Sequence, residues 1–276
     1  ALRTLVTVLD SVYLPKVLNL HASLMRYAKD WRLVVVCCDD LSLVALTSLK
    51  LERVWPVPVD DILTAHHRVA RVNRNQVEFI WSLTPQSIIW VRQNFPDSEY
   101  AIYADADMYL LDSIEPFFSE LDSKTSVTAL TPHAFTPRLD YSNISGKFCV
   151  QFQAFKQIGG DDILKYWNSQ CLEWSGQIAD GSRFGDQKYL DDWPKLYGQR
   201  VSTVSTPAWF LGPWNVDRFP WSDALFYHFH ALSIVGDERV NVGNYPIPHS
   251  VRENVYAPYI RELKNSTRTL ADIIQE

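Results

Sequence analysis

The stretch EYAIYADADMYLLDSIEPFF, residues 99–118, places two carboxylates, Asp105 and Asp107, at the end of an apolar run. The run predicts a strand over 100–105, so the pair would lie at its carboxyl end, where open α/β sheets place their ligands. Two like charges raise the cost of ionising each other. In Asp-X-Asp both side chains point to the same side, so their oxygens can converge on Mg²⁺ or Mn²⁺. A metal role is therefore favoured over the paired carboxylates of a phosphotransferase or an acidic surface loop.

The residues before this stretch alternate between strand and helix patterns. TLVTVL (4–9) and RLVVVCC (32–38) are β-branched runs without alternation, which is typical of parallel strands covered on both faces. Apolar residues at helical spacing lie between them, which predicts a right-handed strand-helix-strand crossover. TPQSIIWVRQNF (84–95) predicts a helix with Thr84 as N-cap and Pro85 at its first position. The pattern predicts an α/β fold with a mostly parallel central sheet flanked by helices.

The second half has a more mixed pattern. Strands are predicted near 126–131, 148–156, 200–205 and 225–230, and helices near 161–175, 185–193 and from about 252. No internal repeat or low-complexity linker interrupts the sequence, so we expect one continuous body.

Residues 1–250 are predicted to form this body, and its second half, from about residue 116, is expected to supply a different binding surface from the first half. Residues 251–276 are predicted to be a C-terminal helical extension that docks on the body or contacts a partner.

Composition limits the class of protein. A formal charge of -6 provides no global positive field for nucleic acid, and 47% hydrophobic residues are enough for a sizeable core. The four cysteines, Cys37, Cys38, Cys149 and Cys171, show no Cys-X-X-Cys spacing, which favours reduced structural thiols. The apolar runs are too short to span a bilayer. We expect a cytoplasmic protein, with peripheral association at the inner face of the membrane left open.

Two later motifs offer further ligands. In LFYHFHAL, His228 and His230 have strand spacing and should face the same way, so that one could complete a carboxylate-rich metal site. The alternative is a hydrogen-bonded histidine packed among aromatic residues. The consecutive His66 and His67 are expected at the surface.

Two more stretches suggest contacts with a sugar. In DGSRFGDQKYLDDWP (180–194), Asp186 and Gln187 follow a Gly185 turn and could hydrogen-bond sugar hydroxyls, or Asp186 could simply cap a helix. The aromatic loop TPAWFLGPWNVDRFPW (206–221) suits either a sugar platform or a plug for the core.

Several common catalytic motifs are missing. No Gly-X-X-X-X-Gly-Lys-Ser/Thr and no Gly-X-Gly-X-X-Gly after the first strand is present, nor is a Gly-X-Ser-X-Gly elbow. The sequence therefore disfavours a P-loop NTPase, a dinucleotide dehydrogenase and an α/β-hydrolase.

Taken in order, six blocks resemble bacterial sugar-nucleotide glycosyltransferases of the GT-A fold, above all the retaining family 8-type enzymes of polysaccharide gene clusters. The resemblance covers about residues 2–232. The blocks are TVLDSVYLPKVLNLHASL, IYADADMYLLDSIEPFF, FCVQFQAFK, FGDQKYLDDWP, PAWFLGPWNV and FYHFHAL. Cys149 departs from the family pattern, which usually has Asn there, as does Val12, which replaces a polar residue.

The resemblance implies a role for each matching position. It implies metal ligation by Asp105, Asp107 and His228, with His230 as the alternative third ligand. It implies donor contacts and catalytic positions at further residues. The donor contacts are Val8, Asp10, Tyr13, Asp105, Ala106, Asp107, Gln151 and His230, and the catalytic pair is Asp186, which holds sugar hydroxyls, and Gln187, which faces away from the leaving group.

The resemblance also implies a division of roles along the chain. Residues 1–250 would form the catalytic domain, with a nucleotide-binding half over about 1–115 and a sugar and acceptor half over about 116–250. An activity is implied as well. We expect a Mn²⁺- or Mg²⁺-dependent enzyme that transfers a sugar, with retention, from a nucleotide-diphosphate sugar, UDP-sugar being favoured, to a hydroxyl of a glycan or lipid-linked acceptor. The alternatives are a non-catalytic carbohydrate- or nucleotide-binding protein and a haloacid-dehalogenase-type phosphatase. In that phosphatase class the nucleophilic Asp usually follows the first strand, whereas Asp105 comes much later.

Overall fold

The structure is a computed structural model that describes residues 2–236 and 239–274. The strands are β1 (Arg3–Leu9), β2 (Trp31–Cys37), β3 (Val54–Pro58), β4 (Tyr100–Ala104), β5 (Met108–Leu110), β6 (Thr128–Pro132), β7 (Phe148–Cys149), β8 (Phe152–Lys156), β9 (Val201–Thr203), β10 (Phe210–Leu211), β11 (Phe226–His228), β12 (Ser233–Val235) and β13 (Arg239–Asn241).

Helices lie between most of these strands. The α-helices are α1 (Leu14–Tyr27), α2 (Asp40–Leu49), α3 (Ala65–Asn73), α4 (Gln76–Ser82), α5 (Thr84–Asn94), α6 (Glu115–Asp122), α7 (Ser142–Ser145), α8 (Asp161–Glu173), α9 (Trp193–Tyr197), α10 (His249–Val251) and α11 (Ala257–Ile274). Short 3₁₀ turns occur at Ser11–Tyr13, Val59–Asp61, Pro137–Leu139, Lys188–Asp192, Gly198–Arg200, Pro207–Trp209 and Trp221–Asp223, and a π-helical turn occurs at Arg252–Tyr256.

The main sheet has the strand order β3-β2-β1-β4-β8-β6-β7, and β9 pairs with β6. The first four strands of this order are parallel, and β8 is antiparallel to both of its neighbours. Every residue of β1 is buried, as its unbroken apolar run predicts. The predicted α/β fold with a mostly parallel sheet and flanking helices is therefore confirmed.

The sheet has a hydrophobic core on each face. Because side chains alternate along a strand, Leu5 of β1 packs with Val17 of α1 on one face, whereas Val6 packs with Ile88 of α5 and Trp167 of α8 on the other. This three-layer arrangement holds the carboxyl ends of β1 and β4 side by side at one edge.

Two predicted helix starts were wrong. The cap of α5 is Leu83, and Thr84 already lies in the helix, because Leu83 continues in helical geometry from α4; Pro85 does occupy the first turn. The helix predicted over 185–193 begins only at Lys188 as a 3₁₀ turn, and α9 starts afresh at Trp193, followed by Pro194. Asp186 therefore does not cap a helix.

The last described segment is a helix that reaches Ile274, as predicted, although helical structure starts at His249 rather than near 252. Helix α11 packs against α1, where Asn19 Nδ2 donates to the carbonyl of Tyr259 at 3.1 Å. The Tyr109 hydroxyl on β5 donates to Glu262 at 2.6 Å. The helix therefore docks on the body. Across residues 2–236 and 239–274, no helix is long and apolar enough to cross a bilayer.

The expectation that both consecutive histidines lie at the surface was wrong for His67. Its side chain is fully buried in α3, where one ring nitrogen pairs with Thr64 and the other lies 3.2 Å from Asn168 Oδ1. Helical geometry turns neighbouring residues to different faces, so His66 remains exposed. The four cysteines are buried free thiols, as expected.

A smaller sheet, β10-β11-β5, stands beside the main one. Strand β11 runs antiparallel to β5 with His228 opposite Met108. The aromatic ring of Tyr259 on α11 stacks on Phe229, the residue after β11, with centroids 3.6 Å apart. This contact holds the end of β11 against α11. This pairing carries residues from late in the chain to the residues that follow β4.

Candidate active site

The two carboxylates of the opening motif lie just past the end of β4. A tight turn returns the chain into β5, with the amide of Met108 donating to the carbonyl of Asp105 at 3.1 Å. The Tyr103 hydroxyl donates to Asp105 Oδ1 at 2.8 Å. The backbone amide of Asp105 itself donates to the Gln151 carbonyl at 2.9 Å. The backbone of the turn and the Asp105 carboxylate are thus held in place by protein contacts.

His228 joins this pair from the other end of the chain. The β5–β11 register places its Nε2 3.0 Å from Asp107 Oδ1 and 3.7 Å from Asp105 Oδ2. One ligand atom from each of the three residues lies within 4.8 Å of the others. Two carboxylate oxygens and an imidazole nitrogen suit Mn²⁺ well and Mg²⁺ through the carboxylates. The residues therefore fit a divalent cation.

Gln151 orients the histidine. The Oε1 atom of Gln151 lies 2.9 Å from His228 Nδ1 and accepts a hydrogen bond from its N–H, so that when the ring is neutral its lone pair lies on Nε2, toward the carboxylates. Gln151 is fully buried and does not line the cleft described below. Its predicted contact with the donor sugar stays a prediction, and its observed contact is with the metal-ligand candidate.

The charges of the cluster are strongly interdependent. Although burial opposes ionisation, His228 and Lys16 lower the pKa of Asp107. Burial raises the pKa of Asp105, with His228 opposing this and Asp107 reinforcing it. Burial would lower the pKa of His228, but Asp107 raises it well above the ordinary value. A cation would therefore displace a proton from His228 on binding.

These groups open into a cleft of about 520 Å³. All the predicted site residues except Gln151 line it. They are Val8, Asp10, Tyr13, Asp105, Ala106, Asp107, Asp186, Gln187, His228 and His230. The structure therefore brings together residues that the sequence separates by more than two hundred positions.

The turn after β1 forms one end of the cleft. The side chain of Asp10 accepts from the amide of Val12 at 3.1 Å and so caps the 3₁₀ turn that presents Tyr13. Asp39, after β2, accepts from the amide of Ser11 at 2.9 Å and anchors the same turn. Burial raises the pKa of Asp10, and the nearby Asp39 charge adds to this.

Asp186 and Gln187 lie in another wall. The backbone carbonyl of Asp186 accepts a hydrogen bond from Trp167 Nε1 at 2.8 Å. Asp186 is buried, with 5% of the residue exposed. Burial raises the pKa of Asp186 to about 7, with a contact from Thr84 opposing the shift and the charge of Asp105 adding to it. Gln187 Nε2 donates to the carbonyl of Ser145 at 2.8 Å, which fixes its amide plane.

His133 is a cleft residue that the sequence analysis missed. Its Nδ1 lies 3.0 Å from the carbonyl of Gly146 and donates to it, which leaves Nε2 as an acceptor. Burial lowers the pKa of His133 to about 3, so the ring is neutral. The residue follows β6, which runs parallel to β4, so the rule that ligands lie at strand carboxyl ends could have found it.

The aromatic loop contributes to both the core and the cleft, and its role as a sugar platform stays a prediction. Phe210 is buried in the core and stacks on Phe226 with centroids 5.1 Å apart. Trp214 instead lines the cleft, and its Nε1 donates to the carbonyl of His133 at 3.0 Å. One part of the loop therefore plugs the core, and the other forms a wall of the site.

The outer wall of the cleft is apolar. Three of its large side chains are unusually exposed, with relative exposures of 43% for Val77, 46% for Tyr141 and 50% for Ile144. Beside them, Trp81 packs against Phe184 with ring centroids 6.0 Å apart. The sequence analysis did not identify this wall, because α4 and α7 are far apart in the chain.

Gly185 links this wall to Asp186. Its φ is +53°, and an added Cβ would lie 3.1 Å from Cε3 of Trp81. Gly181 has a φ of +55° but open space around it. We expect Gly181→Ala to lower the free energy of unfolding by about 1 to 2 kcal/mol, because alanine disfavours this backbone conformation. Gly185→Ala should lower it by more, because Trp81 must also shift. Urea unfolding of both variants measures the difference; equal losses would contradict the packing role of Gly185.

No family model matches the chain. It is similar to two uncharacterized proteins of Bacillus subtilis (strain 168): YfnF, 27% identical over 288 residues with 98% of this chain and 92% of YfnF covered, and YfnD, 25% identical over 275 residues with 94% and 88% covered. These relatives span nearly the same length as this chain.

Similar solved structures are glycosyltransferases. The galactosyltransferase LgtC, in complex with donor and acceptor sugar analogs, has a TM-score of 0.59 at 11% identity, with 95% of each chain covered. Mouse xyloside xylosyltransferase 1 has a TM-score of 0.56 at 14% identity, with 84% of this chain and 98% of the other covered. GlyE of Streptococcus pneumoniae TIGR4 has a TM-score of 0.58 at 14% identity, with 100% and 64% covered. The resemblance inferred from the sequence blocks is confirmed at the level of fold, and the chain has a GT-A-like α/β fold shared with glycosyltransferases.

Proposed function

We propose that this protein is a metal-dependent glycosyltransferase that moves a sugar from a nucleotide-diphosphate sugar to a hydroxyl of a glycan or lipid-linked acceptor. One observation carries the proposal: Asp105, Asp107 and His228 meet in the same cleft as Asp186 and Gln187. A cation site alone has many uses. A cation site beside a buried carboxylate and a fixed amide, on a GT-A-like fold, suits sugar transfer from a diphosphate.

The end of the cleft near β1 is assigned to the nucleotide. Val8, Asp10 and Tyr13 lie there, and Asp10 holds the turn that presents the Tyr13 ring. An aromatic ring and a carboxylate suit a base and a ribose, and we favour uridine as the nucleoside. A bound Mn²⁺ or Mg²⁺ would offset the negative charge that develops on the departing diphosphate.

The donor sugar is assigned to the wall formed by Asp186 and Gln187. The Asp186 carboxylate accepts hydrogen bonds from sugar hydroxyls, and its burial makes each bond stronger than it would be in water. Gln187 is a fixed dipole that supports positive charge on the ring, and we propose transfer with retention. His133 Nε2 provides a further acceptor for a hydroxyl in the same cleft.

The apolar outer wall is assigned to the acceptor. Val77, Tyr141 and Ile144 expose apolar surface at the mouth of a cleft whose floor is charged. Such surface beside polar groups marks a ligand site. We propose that the acceptor carries an apolar group next to its reactive hydroxyl, as a lipid-linked sugar does. A peripheral position at the inner face of the membrane would bring the cleft to such an acceptor.

Two other functions have less support. A non-catalytic binding protein would use the aromatic wall but would have no need for Asp105, Asp107, His228 and a buried Asp186 together. A haloacid-dehalogenase-type phosphatase would need its nucleophilic carboxylate after the first strand, whereas Asp105 follows β4 in a GT-A-like fold.

The test is a panel of nucleotide sugars with Mn²⁺ or with a chelator, each offered to free sugars and to octyl glycosides. We expect turnover of at least one UDP-sugar with Mn²⁺ only, and faster transfer to octyl glycosides than to the matching free sugars. If no nucleotide sugar binds under either condition, the proposed function is wrong. Binding without transfer or hydrolysis would favour the binding protein, and equal rates with both acceptor types would remove the apolar assignment.

A further inference from the structure

Lys16 is a buried cation beside the carboxylate cluster. It lies in the first turn of α1 and is 7% exposed, and its Nζ is 3.6 Å from Asp107 Oδ2. The ammonium also lies 4.4 Å from the centroid of the Tyr13 ring. A lysine is seldom buried this deeply unless a charge partner compensates for its lost hydration. The charge of Lys16 therefore acts on the site, although the proposed function gives this residue no role.

The position of the ammonium is fixed by packing. Its neighbours in α1, Leu14 and Val17, are buried in the core, and Pro15 stiffens the first turn. The stem therefore cannot swing freely into solvent, and the amine stays between the Tyr13 ring and Asp107. Both of these residues line the cleft. The charge of Lys16 therefore acts on any ligand that contacts Asp107 or Tyr13.

This charge has opposite consequences for the two proposed ligands. Before a cation binds, the Lys16 ammonium offsets one of the two negative charges of Asp105 and Asp107, in addition to any charge on His228. With a divalent cation bound and the His228 proton displaced, the site carries one net positive charge. Without the lysine, the same cation would only neutralise the site. Lys16 therefore repels a free cation but attracts a diphosphate once that cation is present, and the low dielectric of a buried site strengthens both effects.

We propose that Lys16 couples the two ligands by acting on them in opposite directions: it weakens binding of the cation alone and strengthens binding of the nucleoside diphosphate, so that the site holds the cation tightly only when the diphosphate is also present. The inference rests on the proposed function, because the diphosphate is the leaving group of the proposed donor. Lys16 is a positioning residue in this scheme and takes no part in bond breaking.

The experiment compares the full chain carrying Lys16→Met or Lys16→Arg with the wild type. Free Mn²⁺ is measured by electron paramagnetic resonance without nucleotide. Binding of UDP and of inorganic pyrophosphate is measured by calorimetry at saturating Mn²⁺. We expect Lys16→Met to bind Mn²⁺ alone about tenfold more tightly and both diphosphates about tenfold more weakly, within the usual range of coupling. Lys16→Arg should keep both affinities near the wild-type values.

The exposed Lys29 provides the matched control, because Lys29→Met makes the same change in net charge away from the cleft. That variant should change neither affinity. If Lys16→Met weakens both ligands, or leaves both unchanged, Lys16 is only a structural counter-ion and the coupling is wrong. If neither diphosphate binds the wild type, the proposed function and the coupling both fail. Normal diphosphate binding that does not respond to Lys16→Met overturns the coupling alone.

Discussion

Asp107→Asn is expected to lower Mn²⁺-dependent sugar transfer by at least about 100-fold, because even residues behind the ligands of metal sites cost 10 to 100-fold. Asp107 contacts both His228, at 3.0 Å, and Lys16, at 3.6 Å. The amide keeps the size of the side chain and removes its charge. The measurement is kcat at saturating donor over a range of Mn²⁺ concentrations, with circular dichroism to verify folding.

The matched control is Asp112→Asn. Asp112 is exposed, lies five positions further along the same segment, and accepts a local bond from the amide of Ser113, which an Asn oxygen can also accept. We expect its activity to match the wild type. Undiminished activity in Asp107→Asn would remove the carboxylate pair from the mechanism. A rescue of the variant by high Mn²⁺ would indicate that Asp107 serves affinity alone.

Asp186→Asn is expected to abolish transfer and yet to stabilise the protein above neutral pH. The pKa of this carboxyl is raised by burial to about 7, from an ordinary value of 3.8. The folded state therefore holds a proton that the unfolded state has already lost between these two values. Stability falls as pH rises from about 4 to about 7, by up to about 4 kcal/mol. An asparagine never ionises, so the variant avoids this loss.

Thermal unfolding in chelator at pH 5 and at pH 8 tests the expectation. At pH 5 the wild type has lost only about 1.6 kcal/mol of this total, so the variant should melt about 4 °C higher, whereas at pH 8 it should melt about 10 °C higher. The exposed Asp192 is the control, and Asp192→Asn should follow the wild type at both values. Transfer by Asp186→Asn should be lost by at least about 100-fold at every pH, because the missing group acts on the reacting sugar. If the variant and the wild type differ in melting temperature by the same amount at both pH values, burial does not raise the pKa of Asp186.

Local patterns predicted the frame of the fold. The unbroken apolar runs of β1 and β2 identified buried parallel strands, and the same run before Asp105 placed the carboxylates at a strand end. These signals are local because a strand covered on both faces must be apolar throughout. The predicted start of α5 was wrong because Leu83, which ends α4, keeps helical geometry and is also the residue before α5.

The rest of the site depends on contacts between distant segments. No local pattern shows that Gln151 contacts His228 Nδ1, since Gln151 precedes β8 of the main sheet and His228 ends β11 of the small sheet. Nor does the sequence show that His67 is covered by α8 through Asn168. The same holds for Lys16, whose spacing in α1 indicates only a helix position. Motif order predicted the candidate ligands, and only the fold shows what surrounds them.

The pairing of β5 with β11 has a consequence for how such a protein can diverge. His228 is opposite Met108 through a ladder of three residue pairs, and an extended strand reverses its faces at each residue. Insertions or deletions in the long stretch between Leu110 and Phe226 can be absorbed by loops without moving His228. A single residue inserted within β11 would instead turn an aromatic neighbour toward the carboxylates. We therefore expect homologous chains to vary freely in length before this strand and to tolerate no length change within it.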